Sequence, residues 1–121
     1  MRFNWSKFTK DNYKNYINGN FRVGDYVGTV HIGDIGIDLI NYDANVLAYD
    51  FYVAHEDTGY GYKNDILPYD YADGGIIDTS DKLSYEGFRD KTEKLFVKYI
   101  ENYNGNNYSL VEHANRPLEI W

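Results

Sequence analysis

The stretch Ile35-Gly36-Ile37-Asp38-Leu39-Ile40-Asn41-Tyr42-Asp43-Ala44-Asn45-Val46-Leu47-Ala48-Tyr49-Asp50-Phe51-Tyr52-Val53-Ala54 decides the fold. Ile35, Ile37 and Leu39 alternate with Gly36, Asp38 and Ile40, the period of two that a half-buried strand requires. Asn41 to Asn45 offers turn residues, because short polar side chains bond their own backbone and tolerate tight dihedral angles. Val46 to Ala54 is the most apolar strand of the chain. Leu47, Tyr49, Phe51 and Val53 fall on one of its faces; Val46, Ala48, Asp50, Tyr52 and Ala54 fall on the other. Its composition suits a central position in a sheet. The short connection makes it the antiparallel neighbour of the strand before it.

Working outward, Phe21 to His31 reads as another strand, with Gly24 or Gly28 marking a bulge or a close approach. Ile32-Gly33-Asp34 is a tight turn, so the three strands form an antiparallel meander. Asn4 to Asn18 spaces Trp5, Phe8, Tyr13, Tyr16 and Ile17 as a short amphipathic helix, capped by Asn4 or Ser6 and stopped at Gly19-Asn20. Ile76-Ile77 anchors a fourth strand near residue 75. Beyond Asp81 the apolar period becomes 3.6: Ser84 is the N-cap, and Glu86 stands in the first turn, where the helix dipole favours a carboxylate. Phe88, Thr92, Leu95, Phe96, Tyr99, Ile100 and Tyr103 form the stripe, and Gly105 is the stop. Tyr108 to Glu112 reads as a last short strand. The expected fold class is α+β: one domain over residues 1–121, with an antiparallel sheet of three to five strands. The long helix of the C-terminal half packs across one face, and a short helix lies near the N-terminus.

The 121 residues suit one core. A hydrophobic fraction of 43% and an aromatic fraction of 18% argue against disorder. With no cysteine, disulfides, thiolate zinc sites and cysteine nucleophiles are excluded. The first residues lack the apolar run of a secretory signal, and no segment reaches the ~18 continuous apolar residues of a membrane span. The expected setting is the cytoplasm, and no membrane partner is expected.

Charge is concentrated in mid-chain. Between Asp50 and Asp81 stand eight acidic residues (Asp50, Glu56, Asp57, Asp65, Asp70, Asp73, Asp78, Asp81) and one basic residue, Lys63, a local excess equal to the net charge of −7. Tyr60, Tyr62, Tyr69 and Tyr71 are interleaved with these carboxylates, and Gly59, Gly61, Gly74 and Gly75 hinge the segment. Such a surface repels phosphate backbones and attracts basic proteins, so no direct contact with nucleic acid is expected. Carboxylates accept charge-assisted bonds from Arg and Lys while phenol rings supply anchor area. The competing explanation is ordinary: tyrosines covering the sheet, and acids keeping a loop solvated.

Enzymatic motifs are missing. His31, His55 and His113 have no metal-ligand spacing, and neither Ser84 nor Ser109 lies in Gly-x-Ser-x-Gly. The glycines fit neither a Walker loop nor a dinucleotide fingerprint. Asp65, Asp70, Asp73 and Asp78 lack the order of an EF-hand loop and its bidentate Glu. No catalytic residue, metal site or cofactor is expected.

The segment from Tyr52 to Tyr62 (Tyr-Val-Ala-His-Glu-Asp-Thr-Gly-Tyr-Gly-Tyr), followed by Tyr69-Asp70-Tyr71-Ala72-Asp73-Gly74-Gly75 and the helix from Leu83, resembles small domains attached to large polyvalent proteins of mobile elements. The likeness covers residues 46–103. In size, acidity and richness in Tyr, Asn and Asp the chain also resembles phage accessory proteins, anti-CRISPR proteins among them. The resemblance implies a non-enzymatic inhibitor of a nucleic-acid-handling defence effector. Its partner would be a basic host protein such as a CRISPR nuclease or effector complex, met in the host cytoplasm, and its surface a DNA mimic. On this reading Glu56, Asp57, Asp65, Asp70 and Asp73 present charge, and Tyr60, Tyr62, Tyr69 and Tyr71 anchor the contact. A self-associating phage assembly protein and a small-ligand-binding module stay open as alternatives, as does the oligomeric state.

Overall fold

A computed structural model describes residues 2–54, 69–71, 74–105 and 109–117, with the backbone alone at 54 and 69–71. The chain is α+β. Its elements are β1 (Asn4–Lys7), α1 (Lys10–Ile17), β2 (Tyr26–Ile32), β3 (Ile35–Asp43), β4 (Val46–Ala54), β5 (Tyr69–Tyr71), β6 (Gly75–Asp78), α2 (Tyr85–Asn102) and α3 (Leu110–Ala114). The six strands make one antiparallel sheet in the order β1-β2-β3-β4-β5. β6 shares an edge of β4 with β5: Val46 to Tyr49 pair with β6, and Tyr52 to Ala54 pair with β5. The meander and the interior place of β4 follow the alternation of the sequence.

The register of β2, β3 and β4 depends on two bulges. The β3–β4 turn pairs Asp43 with Val46, and a simple continuation would set Ile37 opposite Tyr52. One extra residue between Asn41 and Asp43 shifts the ladder, so that Ile35, Ile37, Leu39 and Asn41 oppose Val53, Phe51, Tyr49 and Leu47. The hydrophobic pattern demands this shift, because a one-residue slip would move one strand's apolar set to the wrong face. A second bulge, between Tyr26 and Gly28, does the same for β2.

The core lies on this odd-numbered face of β3 and β4. Ile35, Ile37, Leu39, Leu47 and Phe51 are fully buried there. α2 covers it with the stripe expected from the sequence. Phe51 stacks on Tyr99 with centroids 4.4 Å apart, and Phe96 meets Phe51 and Tyr49 edge-on at 5.5 and 5.2 Å. Phe88 packs on Phe8, Trp5 and Tyr13. Ser84 caps α2 as expected, its hydroxyl accepting the Gly87 N–H at 3.2 Å. Tyrosine hydroxyls stitch the layers together. Tyr13 donates to the Leu83 carbonyl, Tyr85 to the Phe8 carbonyl, and Tyr16 shares a hydrogen bond with Thr79.

Three sequence expectations are corrected. The single helix over 4–18 is a strand and then a helix: Asn4–Lys7 pairs with β2, Trp5 enters the core, and α1 starts at Lys10 with Thr9 as its cap. The strand expected over 21–31 begins only at Tyr26, because residues before it are held as turns by Gly24 N–H to the Asn41 carbonyl and Asp25 N–H to the Arg22 carbonyl. The strand expected over 108–112 is instead the helix α3, capped by Ser109, whose hydroxyl accepts the Glu112 N–H.

α3 is fixed by a buried carboxylate. Gly33, at φ +55, turns the chain between β2 and β3 and lies so close to α3 that a Cβ there would sit 2.2 Å from the His113 carbonyl oxygen. Asp34 then donates its N–H to that same carbonyl at 3.1 Å. Its fully buried carboxylate is 3.0 Å from His113 Nδ1 and 3.7 Å from Arg116 Nε. Burial pushes the Asp34 carboxyl above its usual range, against the opposing pull of His113 and Arg116.

Candidate protein-binding face

The even-numbered face of the sheet is different in kind. Cα pairing sorts it into rows that cross the strands. One row runs Tyr26–Ile40–Ala48–Ile76 through β2, β3, β4 and β6. The next runs Lys7–Thr29–Asp38–Asp50 through β1 to β4. A third runs Asn4–His31–Gly36–Tyr52–Tyr71.

The first row is apolar and open at both ends: Tyr26 is 57% exposed and Ile76 61%. Ile40 and Ala48 between them are half-buried. Exposed apolar groups set in a row on a rigid sheet are the usual raw material of a recognition surface.

The second row places two carboxylates directly opposite one another. Asp50 is exposed and Asp38 half-buried. Asp38 accepts a hydrogen bond from the Thr29 hydroxyl at 2.9 Å, so the Tyr26 hydroxyl must donate to Thr29. Burial raises the Asp38 carboxyl above its ordinary range, the Thr29 bond offsets part of this, and the charge of Asp50 adds to the rise. Like charges directly opposed across a strand pair are unfavourable for the sheet itself. The strand alternation places Asp38 and Asp50 on the face away from the core; the bulge between Asn41 and Asp43 makes them neighbours.

Within the third row His31, Gly36 and Tyr52 are buried, while Asn4 at its β1 end is exposed. Tyr52 lies across Gly36 so closely that a Cβ on Gly36 would come within 2.0 Å of its ring. His31 is buried beside it, and burial, helped by the charge of Lys7, lowers its imidazole to about 4. It is therefore neutral at pH 7.

Of the residues expected to form the interface, Tyr69, Asp70 and Tyr71 are the strand β5, opposite Ala54, Val53 and Tyr52 in the ladder. This puts the segment on the edge of β4 next to the buried row. Glu56, Asp57, Tyr60, Tyr62, Asp65 and Asp73 lie outside the described residues. Sequence reasoning missed Asp38, Asp50, Tyr26 and Ile76 as a group. The alternation showed Asp38 and Asp50 each on a polar face, but their juxtaposition depends on a bulge that residue types alone do not announce.

Among the described residues no group of three or more His, Asp or Glu is placed to hold a metal ion. No helix among them is long and apolar enough to cross a membrane. Compared with protein families, with curated proteins and with solved structures, the chain matches none of them.

Proposed function

We propose that this protein is a non-catalytic binding module that engages a basic partner protein through the outer face of its sheet. The carrying observation is the Asp38–Asp50 pair set beside the exposed row Tyr26–Ile40–Ala48–Ile76. Two opposed carboxylates cost the sheet stability, yet they are well suited to receive a guanidinium or ammonium group from outside. The adjacent apolar row supplies the anchor area that makes such charge recognition hold. The chain's net charge of −7 steers a basic partner toward it. The favoured instance is an inhibitor that occupies the nucleic-acid groove of a defence effector in the manner of anti-CRISPR proteins, since such grooves are rich in Arg and Lys.

Self-association is the second reading, favoured by the exposure of Ile76 and Tyr26. One experiment separates the two. A photo-crosslinking amino acid replaces Ile76 and the protein is irradiated in host lysate. Crosslinks to a basic protein that vanish in Asp38→Asn/Asp50→Asn and at high salt support the proposal. Crosslinks to a second copy of the chain support self-association instead. Crosslinks indifferent to both the substitutions and salt overturn the charge-based reading.

A further inference from the structure

Away from that face, a cavity of about 290 Å³ opens where the end of α1, the turns before β2 and the β3–β4 turn come together. Tyr16, Phe21 and Val23 contribute rings and a methyl-bearing wall, and Asn41, Ala44 and Lys82 complete it. Its size is close to the lower end of small-molecule sites. Val23 is 76% exposed, an apolar side chain standing on the cavity's wall with little of it packed.

Two further features distinguish it from a surface dimple. Asn41 is only 6% exposed, and its Nδ2 donates to the Phe21 carbonyl at 3.0 Å, while its Oδ1 is shielded from solvent and accepts no hydrogen bond from the protein. Exchanging the amide's oxygen and nitrogen does not resolve this, because a carbonyl cannot bond to the oxygen that would then face it. The acceptor is therefore held in place by the backbone and is itself unused. Buried acceptors are ordinarily bonded, and an exception calls for a reason. The second feature is Lys82, the only non-glycine among the described residues with positive φ, at +47. Strained backbone of this kind collects where a side chain must be presented in a set position. It gives this otherwise uncharged wall its one cation.

We infer that this cavity binds a small hydroxylated aromatic acid: a flat ring against Phe21, Tyr16 and Val23, its O–H donated to Asn41 Oδ1, and its anionic group drawn to Lys82. Entry opens the shielded Asn41 Oδ1 to the ligand. A ligand of this class suits a place on an acidic protein where a cation lines an apolar pocket beside an unmet acceptor.

The test is a titration followed by amide resonances, with para-hydroxybenzoate as the probe and benzoate, which lacks the donor, and phenol, which lacks the charge, as comparisons. Saturable shifts at Gly19, Phe21, Asn41 to Asn45 and Lys82 are expected, with each comparison compound binding about tenfold more weakly. Asn41→Ala removes an internal bond and can unfold the region, so the variants are Ala44→Trp, which fills the cavity from an exposed position, and Lys82→Gln. Ala44→Trp is expected to abolish the shifts, and Lys82→Gln to erase the preference over phenol. Absence of saturable shifts, equal binding of benzoate and para-hydroxybenzoate, or binding unchanged in Ala44→Trp would each overturn the inference.

Discussion

β3 and β4 present two faces built to opposite rules. On the odd-numbered face, Ile35, Ile37, Leu39, Leu47 and Phe51 are wholly excluded from water and Phe51 stacks on Tyr99. On the even-numbered face, the same strands set Asp38 against Asp50 and leave the row through Ile40 and Ala48 open at Tyr26 and Ile76. The first arrangement is what burial of apolar area selects. The second is not what stability selects, since opposed carboxylates weaken a strand pair and exposed Ile gains little. One face accounts for folding; the other is the face for which we propose a partner.

The sharpest way to break this comparison is to truncate one side chain on each face. Phe51→Ala removes a fully buried ring and leaves a cavity among Tyr49, Phe96 and Tyr99. A loss of about 3–5 kcal/mol is expected. Ile76→Ala, 61% exposed, should change stability by no more than about 0.5 kcal/mol. Urea midpoints with unchanged slopes report both. Equal costs would mean that the outer face is a second core.

His31 gives the next largest effect, and it belongs to the part of the outer face that is closed. Its imidazole is lowered from 6.5 to about 4 in the folded protein, chiefly by burial. Between those values the unfolded chain binds the proton and the folded chain does not. The contribution is therefore complete above pH 6.5 and is lost as pH falls toward 4, amounting to on the order of 3 kcal/mol. Asp34 and Asp38 shift the opposite way, since raised carboxyls favour the fold as they protonate. The comparison is thus made between wild type and His31→Gln at pH 7.5 and 4.5. The wild type should lose more stability over that interval than the variant; parallel losses would show that His31 is not held neutral by burial.

Ser84→Ala is a control that belongs to neither face. Removing the hydroxyl that accepts the Gly87 N–H should cost about 1 kcal/mol. Partner binding through the outer face should be untouched when measured well below the unfolding midpoint. A weakened partner would show that α2's first turn contributes to the interface.

What the sequence disclosed follows from how local each signal is. The alternations of Ile35–Ile40 and Val46–Ala54 and the 3.6-residue stripe after Ser84 are each complete within one element, and β3, β4 and α2 form where they were read, although β3 runs on through Asn41–Asp43, residues expected to turn. β1 was hidden because Asn4-Trp5-Ser6-Lys7 is too short to show a period, and only pairing with His31 and Thr29 makes it a strand. α3 did carry a signal: Ser109-Leu110-Val111-Glu112 has the spacing of a capping box, and Ser109 does cap. The Asp34–His113 contact joins residues 79 apart, beyond any local pattern. The paired carboxylates were legible only in part: parity put Asp38 and Asp50 on their face, whereas the bulge that makes them neighbours answers to the demands of the opposite, apolar face.

That dependence makes Asp50→Asn the most discriminating of the small perturbations. The substitution keeps size and hydrogen-bonding capacity on an exposed position while removing one of two opposed charges. If the pair is carried for recognition, relief of the repulsion should stabilise the fold by about 0.2–1 kcal/mol. Asp38 should titrate at lower pH, because Asp50 is one of the causes that raise it and the Thr29 bond remains. Binding of a basic partner should weaken at the same time, and its salt dependence should flatten. Stability and binding would then move in opposite directions through a single atom exchange, which no purely structural role of Asp50 produces. A variant that loses stability instead would place Asp50 among the groups that hold the sheet together, and the contrast between the two faces would no longer separate folding from recognition.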